Sequence, residues 1–142
     1  MKQLITFLVF SFLLSNVYGQ ERIVEFSFGR ANQIFSESII IRRDSTFFTK
    51  GRGDNKETIK SLTAEETWER LIHSISQYSV KNLQNLPSPT HDRDYDGALF
   101  SGITISTNLK RYFCGDFDDY NPNGVLKPLL EIILESKKSN VR

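Results

Sequence analysis

The sequence contains almost no cysteine. Cys114 is the single cysteine in 142 residues, so one copy of the chain cannot form an internal disulfide. It follows Phe113 in an apolar stretch, a pattern that predicts a small buried residue. A disulfide to a partner or a reactive thiol is the alternative.

An excess of charge of either sign is also lacking. The chain has 18 basic and 17 acidic residues, and its formal net charge is +1. Binding to nucleic acid or to an anionic membrane through electrostatics needs a basic surplus, so no nucleic-acid partner is expected. A protein, a sugar or a small ligand stays open as the partner.

Motifs of enzyme active sites are lacking as well. There is no Gly-x-Ser-x-Gly elbow, no His-Glu-x-x-His helix and no phosphate-binding glycine loop. Phe100-Ser101-Gly102 lacks the leading glycine of the elbow, and His73 and His91 adjoin no such motif. The spacing also allows Cys114 to pair with a histidine as a catalytic dyad. We therefore predict a non-enzymatic protein with no catalytic residues and no required cofactor, calcium excepted.

Long hydrophobic runs are limited to one, near the N-terminus. Lys2 precedes an apolar run over 4–14, and Val17-Tyr18-Gly19 supplies residues that suit signal-peptidase cleavage. We predict a signal peptide over 1–19 and a single mature domain over 20–142. An uncleaved anchor is the alternative, although the run is shorter than the roughly 20 residues that cross a bilayer. Export without disulfides is typical of a bacterial envelope, so we expect a periplasmic or secreted protein with no membrane span in its mature chain.

The mature sequence is patterned for a sheet. Period-two alternation and β-branched runs predict strands over 21–28, 38–43, 46–49, 98–107 and 111–115. Residues 29–36 hold glycine, asparagine and glutamine and are predicted to form a loop. A cluster of turn formers over 51–55 is predicted to end the strand before it.

Two helices are predicted between and after these hairpins. The first begins at Thr63, which would form a capping box with Glu66, and it frays near 78–81. Its apolar stripe consists of Trp68, Leu71, Ile72 and Ile75. The second helix covers 125–136 and tolerates Pro128 in its first turn. The predicted fold class is α+β: an antiparallel sheet of four to five strands, in hairpin-helix-hairpin-helix order, with both helices on one face.

Two acidic loops share the pattern that begins an EF-hand calcium loop. It occurs as Asp92-Arg93-Asp94-Tyr95-Asp96-Gly97 and again over 119–124. Both copies lack the closing glutamate, since the twelfth positions are Ile103 and Leu130. Asp92, Asp94 and Asp96 are the candidate calcium ligands. The alternative is that these aspartates and asparagines form turns and cap helices.

Aromatic residues beside these loops are candidate contacts for a partner. Tyr95 and Tyr120 lie within the two acidic loops, at one end of the predicted sheet, and are the candidate partner-binding residues. The alternative is that they seal the edge of the core. Arg52-Gly53-Asp54 matches an adhesion tripeptide, although a turn explains the same residues without a receptor.

The second half of the chain resembles the emfourin-type inhibitors of thermolysin-like metallopeptidases. The similarity lies in Asp96-Gly97 before a strand, the alternation of Ile103 and Ile105, Cys114 on the return, Pro122, and Leu126-x-x-Leu129-Leu130. The resemblance implies a compact protein with helices on an antiparallel sheet. It also implies that a loop, here 87–97, is inserted into a protease cleft. The chain contains no inhibitory motif of that family, so the resemblance assigns no inhibitory residues. We therefore predict a general binding protein. The alternatives are a calcium-stabilised domain and an inhibitor of a metallopeptidase.

Overall fold

The computed structural model describes residues 19–95 and 97–138, in which hairpins alternate with helices. The strands in this part of the chain are β1 (Ile23–Ala31), β2 (Phe35–Ile41), β3 (Ser45–Arg52), β4 (Asn55–Leu62), β5 (Phe100–Thr107) and β6 (Arg111–Asp118). The helices are α1 (Glu65–Ser74) and α2 (Lys127–Lys138), with 3-10 turns at Val80–Leu83, Asp92–Asp94 and Gly124–Leu126. The predicted signal peptide falls outside the described residues, except for Gly19.

All of these strands join one antiparallel sheet, in the order β4-β3-β2-β1-β5-β6. The predicted α+β class is confirmed, with six strands in the described residues rather than four to five. The strand that sequence patterning missed is β4, which is polar and exposed almost throughout. It pairs with β3 along its whole length, from Ser45↔Leu62 to Arg52↔Asn55. Backbone hydrogen bonds hold such an edge strand without a buried apolar face.

The loop predicted over 29–36 was wrong over most of its length. β1 continues to Ala31 and β2 begins at Phe35, which leaves a short turn. Asn32 closes this turn because its Oδ1 accepts hydrogen bonds from the amides of Ile34 and Phe35, at 2.9 and 2.7 Å. Side chains of asparagine stabilise turns in this way, so the polar residues mark the turn and not the end of pairing.

Both helices pack on one face of the sheet. Alternate strand residues, including Phe26, Phe28, Ile39 and Ile105, are buried in the core beneath them. Trp68 of α1 contacts Phe26 edge to face, with ring centroids 5.5 Å apart. From α2, Leu129 and Ile133 are fully buried in the same cluster, and Pro128 lies in the first turn as predicted.

The start of α1 differs from the predicted capping box. Ala64 is the N-cap residue and no side chain caps the helix. The Thr63 hydroxyl instead lies 2.8 Å from the hydroxyl of Thr46 on β3. This tertiary contact takes the oxygen that the local motif would use. The helix also ends at Ser74, before the predicted fraying at 78–81.

The connections fall at two ends of the sheet because neighbouring strands are antiparallel. The loop end consists of residues 32–34, 53–54, 119–123 and the described residues of the connection over 88–99, and the turn end consists of 42–44 and 108–110. At the loop end, the amide of Gly53 donates to the carbonyl of Ile34 at 3.0 Å, which joins the first two turns. Gly53 has φ of 53°, and Arg52, Gly53 and Asp54 are exposed at this tip. No helix within the described part of the chain is long and apolar enough to cross a membrane.

Candidate binding site at the loop end

Two concave clefts at the loop end share one aromatic wall, the side chain of Phe35. The first cleft has a volume of about 520 Å³ and is also lined by Asn32, Asp92, Gly97, Ala98, Leu99 and Asp119. The second has a volume of about 760 Å³ and is also lined by Lys50, Gly51, Arg52, Asn55, Lys56 and Glu57. One cleft therefore has carboxylates in its lining and the other has mainly basic residues, with Phe35 between them.

A buried aspartate at the end of β6 fixes the connection over 88–99. The Asp118 side chain is 5% exposed, and its Oδ1 accepts a hydrogen bond from the Arg93 guanidinium at 2.7 Å. Its Oδ2 accepts from the amide of Asp92 at 2.7 Å and from the Thr90 hydroxyl. Arg93 also donates to Asp116 at 2.8 Å. One carboxylate thus determines the backbone path of the Asp92–Asp94 turn.

The electrostatics of this contact favour the charged carboxylate. Burial by itself would raise the pKa of Asp118. The hydrogen bonds from Thr90, Arg93 and two backbone amides outweigh burial and hold that pKa well below its usual range. The anchor is therefore ionised at neutral pH.

The start of the same connection is held against the edge of β6. The amides of Asn85 and Leu86 donate to the carbonyls of Phe113 and Cys114, each at 3.0 Å. Gly115 has φ of 115°, and a Cβ there would lie 2.3 Å from the carbonyl oxygen of Leu86. Only glycine permits this close approach. The residues that lead into the connection are consequently tied to the edge of β6, and Asp118 at the end of β6 holds the Asp92–Asp94 turn within it.

A second buried carboxylate joins β1, β2 and α2 near Phe35. Glu37 on β2 has a side chain that is 2% exposed, and it pairs with Lys137 of α2 at 2.6 Å and with Arg30 of β1 at 3.1 Å. Burial would raise the pKa of Glu37, but the hydrogen bonds from Lys137 and Arg30 lower it overall. The contact fastens the end of α2 to the sheet beside the loop end.

The structure gives the two candidate tyrosines different surroundings. Tyr120 stacks on Phe28, with centroids 5.9 Å apart, and the Arg30 guanidinium lies 4.1 Å over its ring. Tyr120 is nevertheless 40% exposed, so it combines contact with the core and contact with solvent. Tyr95 is 88% exposed. The assignment of these two tyrosines to partner binding stays a prediction.

The polar residues of the second acidic loop are engaged in turns. The amide of Asp119 donates to the carbonyl of Leu99 at 2.9 Å, and its Oδ1 accepts from the amide of Leu99 at 3.2 Å. Asn123 Oδ1 accepts from the amide of Val125 at 3.2 Å, at the 3-10 turn before α2. These contacts are those of turn formation and capping.

The calcium prediction at the first acidic loop stays a prediction. Asp94 lies near His91, with its Oδ2 3.9 Å from Nδ1, and both side chains are largely exposed. Asp96 falls outside the described residues. Within the described residues, no three or more histidine, cysteine, aspartate or glutamate side chains form a group able to hold a metal ion.

The residues considered for nucleophilic chemistry are buried. Cys114 is fully buried, as predicted, and burial raises the pKa of its thiol to about 12. Ser101 is also fully buried and donates its hydroxyl hydrogen bond to the carbonyl of Asp119. Both side chains contribute to packing in these surroundings.

Sequence reasoning missed the residues that organise the site. Glu37 had a detectable signal, because it occupies an inward position between Phe35 and Ile39 in a strand of alternating pattern. Asp118 had none, since the register of β6 shifts against β5 between Gly102 and Thr104 and breaks the simple alternation. Arg93 was noted only as a spacer within the acidic motif.

No family model, curated protein or solved structure matches this chain. The resemblance to emfourin-type inhibitors therefore stays a prediction based on sequence.

Proposed function

We propose that this protein is an exported, non-enzymatic binding protein that engages a partner protein through its loop end. The observation that carries the proposal is the pair of clefts on either side of Phe35, one lined by Asp92 and Asp119 and the other by Lys50 and Arg52. Concave surfaces with a shared aromatic wall and convergent polar groups are typical of binding sites.

Buried ion pairs support the proposal because they order the segments that form or adjoin the first cleft. Asp118 holds the connection over 88–99, and Glu37 holds β1, β2 and α2 together beside Phe35. A surface that is already ordered loses less conformational entropy when a partner binds. The loop end is suited to recognition for this reason.

Exposed apolar side chains surround the clefts. Tyr95 is 88% exposed, Ile34 is 65% exposed and Phe100 is 53% exposed. Aromatic residues on rigid loops frequently contribute most of the binding free energy at protein interfaces. The opposite charges of the two clefts favour a protein segment of mixed charge over a polyanion such as nucleic acid.

A matched pair of substitutions tests the proposal. Ile34 lies at the loop end and is 65% exposed, while Leu109 lies at the turn end and is 63% exposed. Ile34→Glu and Tyr95→Ala are expected to weaken capture of a partner from the fraction outside the cytoplasm by at least about tenfold, since each removes a contact of the size found at hot spots. Leu109→Glu is the control and should bind as the original chain does.

Melting curves verify that all three variants fold. Equal binding by the original chain and by both loop-end variants would contradict the proposal, as would equal loss in Leu109→Glu. The inhibitor alternative is the special case in which the partner is a secreted metallopeptidase and the connection over 88–99 enters its cleft. Inhibition of that enzyme should then be lost in Tyr95→Ala.

A further inference from the structure

The face of the sheet opposite the helices has an uneven surface. Its residues alternate with the buried core residues along β1, β2, β3 and β5. Within the described residues, only the connection over 88–95 reaches this face, at one corner, where the Arg93 guanidinium lies 5.5 Å from the Phe100 ring. The rest of the face is left without a covering helix.

Strand pairing arranges this face in rows that run across the strands. One row, here called the ridge, consists of Phe47, Ile40, Ser27, Thr104 and Phe113. The next row toward the loop end, here called the trough, consists of Thr49, Ser38, Gly29, Gly102 and Asp116. The ridge carries three large apolar side chains. The trough side chains from Thr49 to Gly102 are small, and the row ends at Asp116, which pairs with Arg93 at 2.8 Å. A groove of about 420 Å³ follows the trough.

The small size of the trough residues is required locally. A Cβ on Gly102 would lie 2.8 Å from the ring of Phe113, which leans toward it from the ridge. Phe113 is nevertheless 42% exposed, and Phe100 on the loop-end side of the trough is 53% exposed. Large apolar groups thus border a shallow groove and remain in contact with solvent.

We propose that this face binds a second copy of the same chain, so that two sheets pack face to face. The two copies are related by a two-fold axis that lies in the plane of the face. The axis runs perpendicular to the strands, between the two rows. It therefore places the ridge of each copy over the trough of the other. Phe47 then faces Thr49 of the other copy, and Ile40 faces Ser38. Two-fold dimers use one self-complementary surface, and sheets pack in this way at about 10 Å separation.

The charges on β4 agree with this symmetry, and on β6 the axis places Asp116, which already pairs with Arg93, over Phe113. The same axis places Lys60 over Thr58 and Lys56 over Leu62, because these residues lie in the matching rows of β4. Glu25 already pairs with Arg42 at 3.0 Å and lies 3.9 Å from Arg111. No charged side chain on β4 is brought opposite a like charge, whereas direct stacking of the same rows would oppose Lys60 to Lys60.

The area of the face is close to that of a stable dimer interface. Six strands at about 4.8 Å spacing, with about eight residues each at about 3.3 Å, give a face of roughly 750 Å², of which the connection over 88–95 covers one corner. Stable interfaces bury about 800 Å² on each partner. The face therefore supplies most of the area that a specific homodimer needs.

The experiment measures the oligomeric state of the purified chain by sedimentation velocity over a range up to about 100 µM. The original chain is expected to form a dimer, and so is the control Leu109→Glu. Ser38→Glu in the trough and Ile40→Glu on the ridge should each weaken dimerisation by at least about tenfold, because they bury a carboxylate between the sheets. Thr49→Glu provides a second trough variant, and circular dichroism verifies folding of each.

A monomer at every concentration would overturn the proposal, even if this face were then found to capture a different protein. A dimer that all three glutamate variants leave unchanged would overturn it as well. Ile34→Glu at the loop end should dimerise normally, so the dimer and the loop-end site are tested separately.

Discussion

The loop end and the turn end of the sheet contain similar ion pairs in opposite surroundings. At the loop end, the side chains of Glu37 and Asp118 are 2% and 5% exposed. At the turn end, Arg43 pairs with Glu65 while their side chains are 67% and 57% exposed. The chemistry of the pairs is the same, and only their contact with water differs.

This difference determines what each pair does. An exposed pair contributes little free energy, since water and salt screen the attraction and the side chains lose mobility. A buried carboxylate must keep its partners, because an unpaired charge in the interior is costly. Asp118 and Glu37 therefore specify the positions of the segments that bear their partners. The segment held by Asp118 contributes Asp92 to the first cleft, and Glu37 joins β1 and α2 to β2 near Phe35. The turn end is held mainly by its backbone turns.

The largest difference between the two ends is expected from removal of Glu37. Glu37→Ala leaves Arg30 and Lys137 without their carboxylate in a partly buried site. We expect a loss of about 2 kcal/mol in the free energy of unfolding, somewhat below values for fully buried pairs since Lys137 keeps part of its water. Denaturant titration measures this loss. A loss no greater than that of Glu65→Ala would remove the contrast between the ends.

The next largest difference between the two ends is expected in how stability depends on pH. The pKa of Asp118 is depressed in the folded protein, so its contribution is complete above the unfolded value of about 3.9 and is lost as the pH falls below it. Asp118→Asn should consequently be less stable than the original chain at neutral pH. The gap between them should narrow as the pH falls below about 4.

Urea titrations at neutral and acidic pH measure this gap. Asp94→Asn is a suitable control, because the Asp94 side chain is 57% exposed in the same connection. A gap for Asp118→Asn that stays constant with pH would show that the carboxylate does not anchor the loop through its charge.

The smallest effect is expected at the turn end. Arg43→Ala removes contacts to Glu65 and Glu69, all of which are exposed. The melting temperature should change by at most about 2 °C, and added salt should not enlarge the change. Calorimetry at low and high salt checks this expectation. A larger shift would mean that the turn end also depends on its ion pairs.

Local patterns were sufficient for the elements that have a buried apolar face. Alternation identified β1 and β5, and the stripe that contains Trp68 and Leu71 identified α1. The same logic failed for β4, because an exposed edge strand has no buried face to mark its period. The capping box failed because a neighbouring strand competed for the Thr63 hydroxyl.

The sequence indicated the acidic loops but not the contacts that hold them. The acidic motif pointed to the loop end, and Tyr95 is exposed there. The role of Arg93 and Asp118 depends on a contact between residues 25 apart in the chain. Periodicity and motif spacing describe neighbours along the chain, so they contain no information on such a pair.

The sequence by itself determined that the chain forms an α+β domain with an antiparallel sheet, a buried Cys114 and two loops of turn-forming residues at one end. Burial of apolar side chains follows a short-range pattern along the chain, so these features can be predicted from the sequence. Tertiary structure alone decided that Asp118 and Glu37 are buried, that two clefts lie on either side of Phe35, and that ridge and trough are adjacent on the open face. These features arise from pairing between distant strands, where packing and desolvation act across space and leave little trace in local sequence.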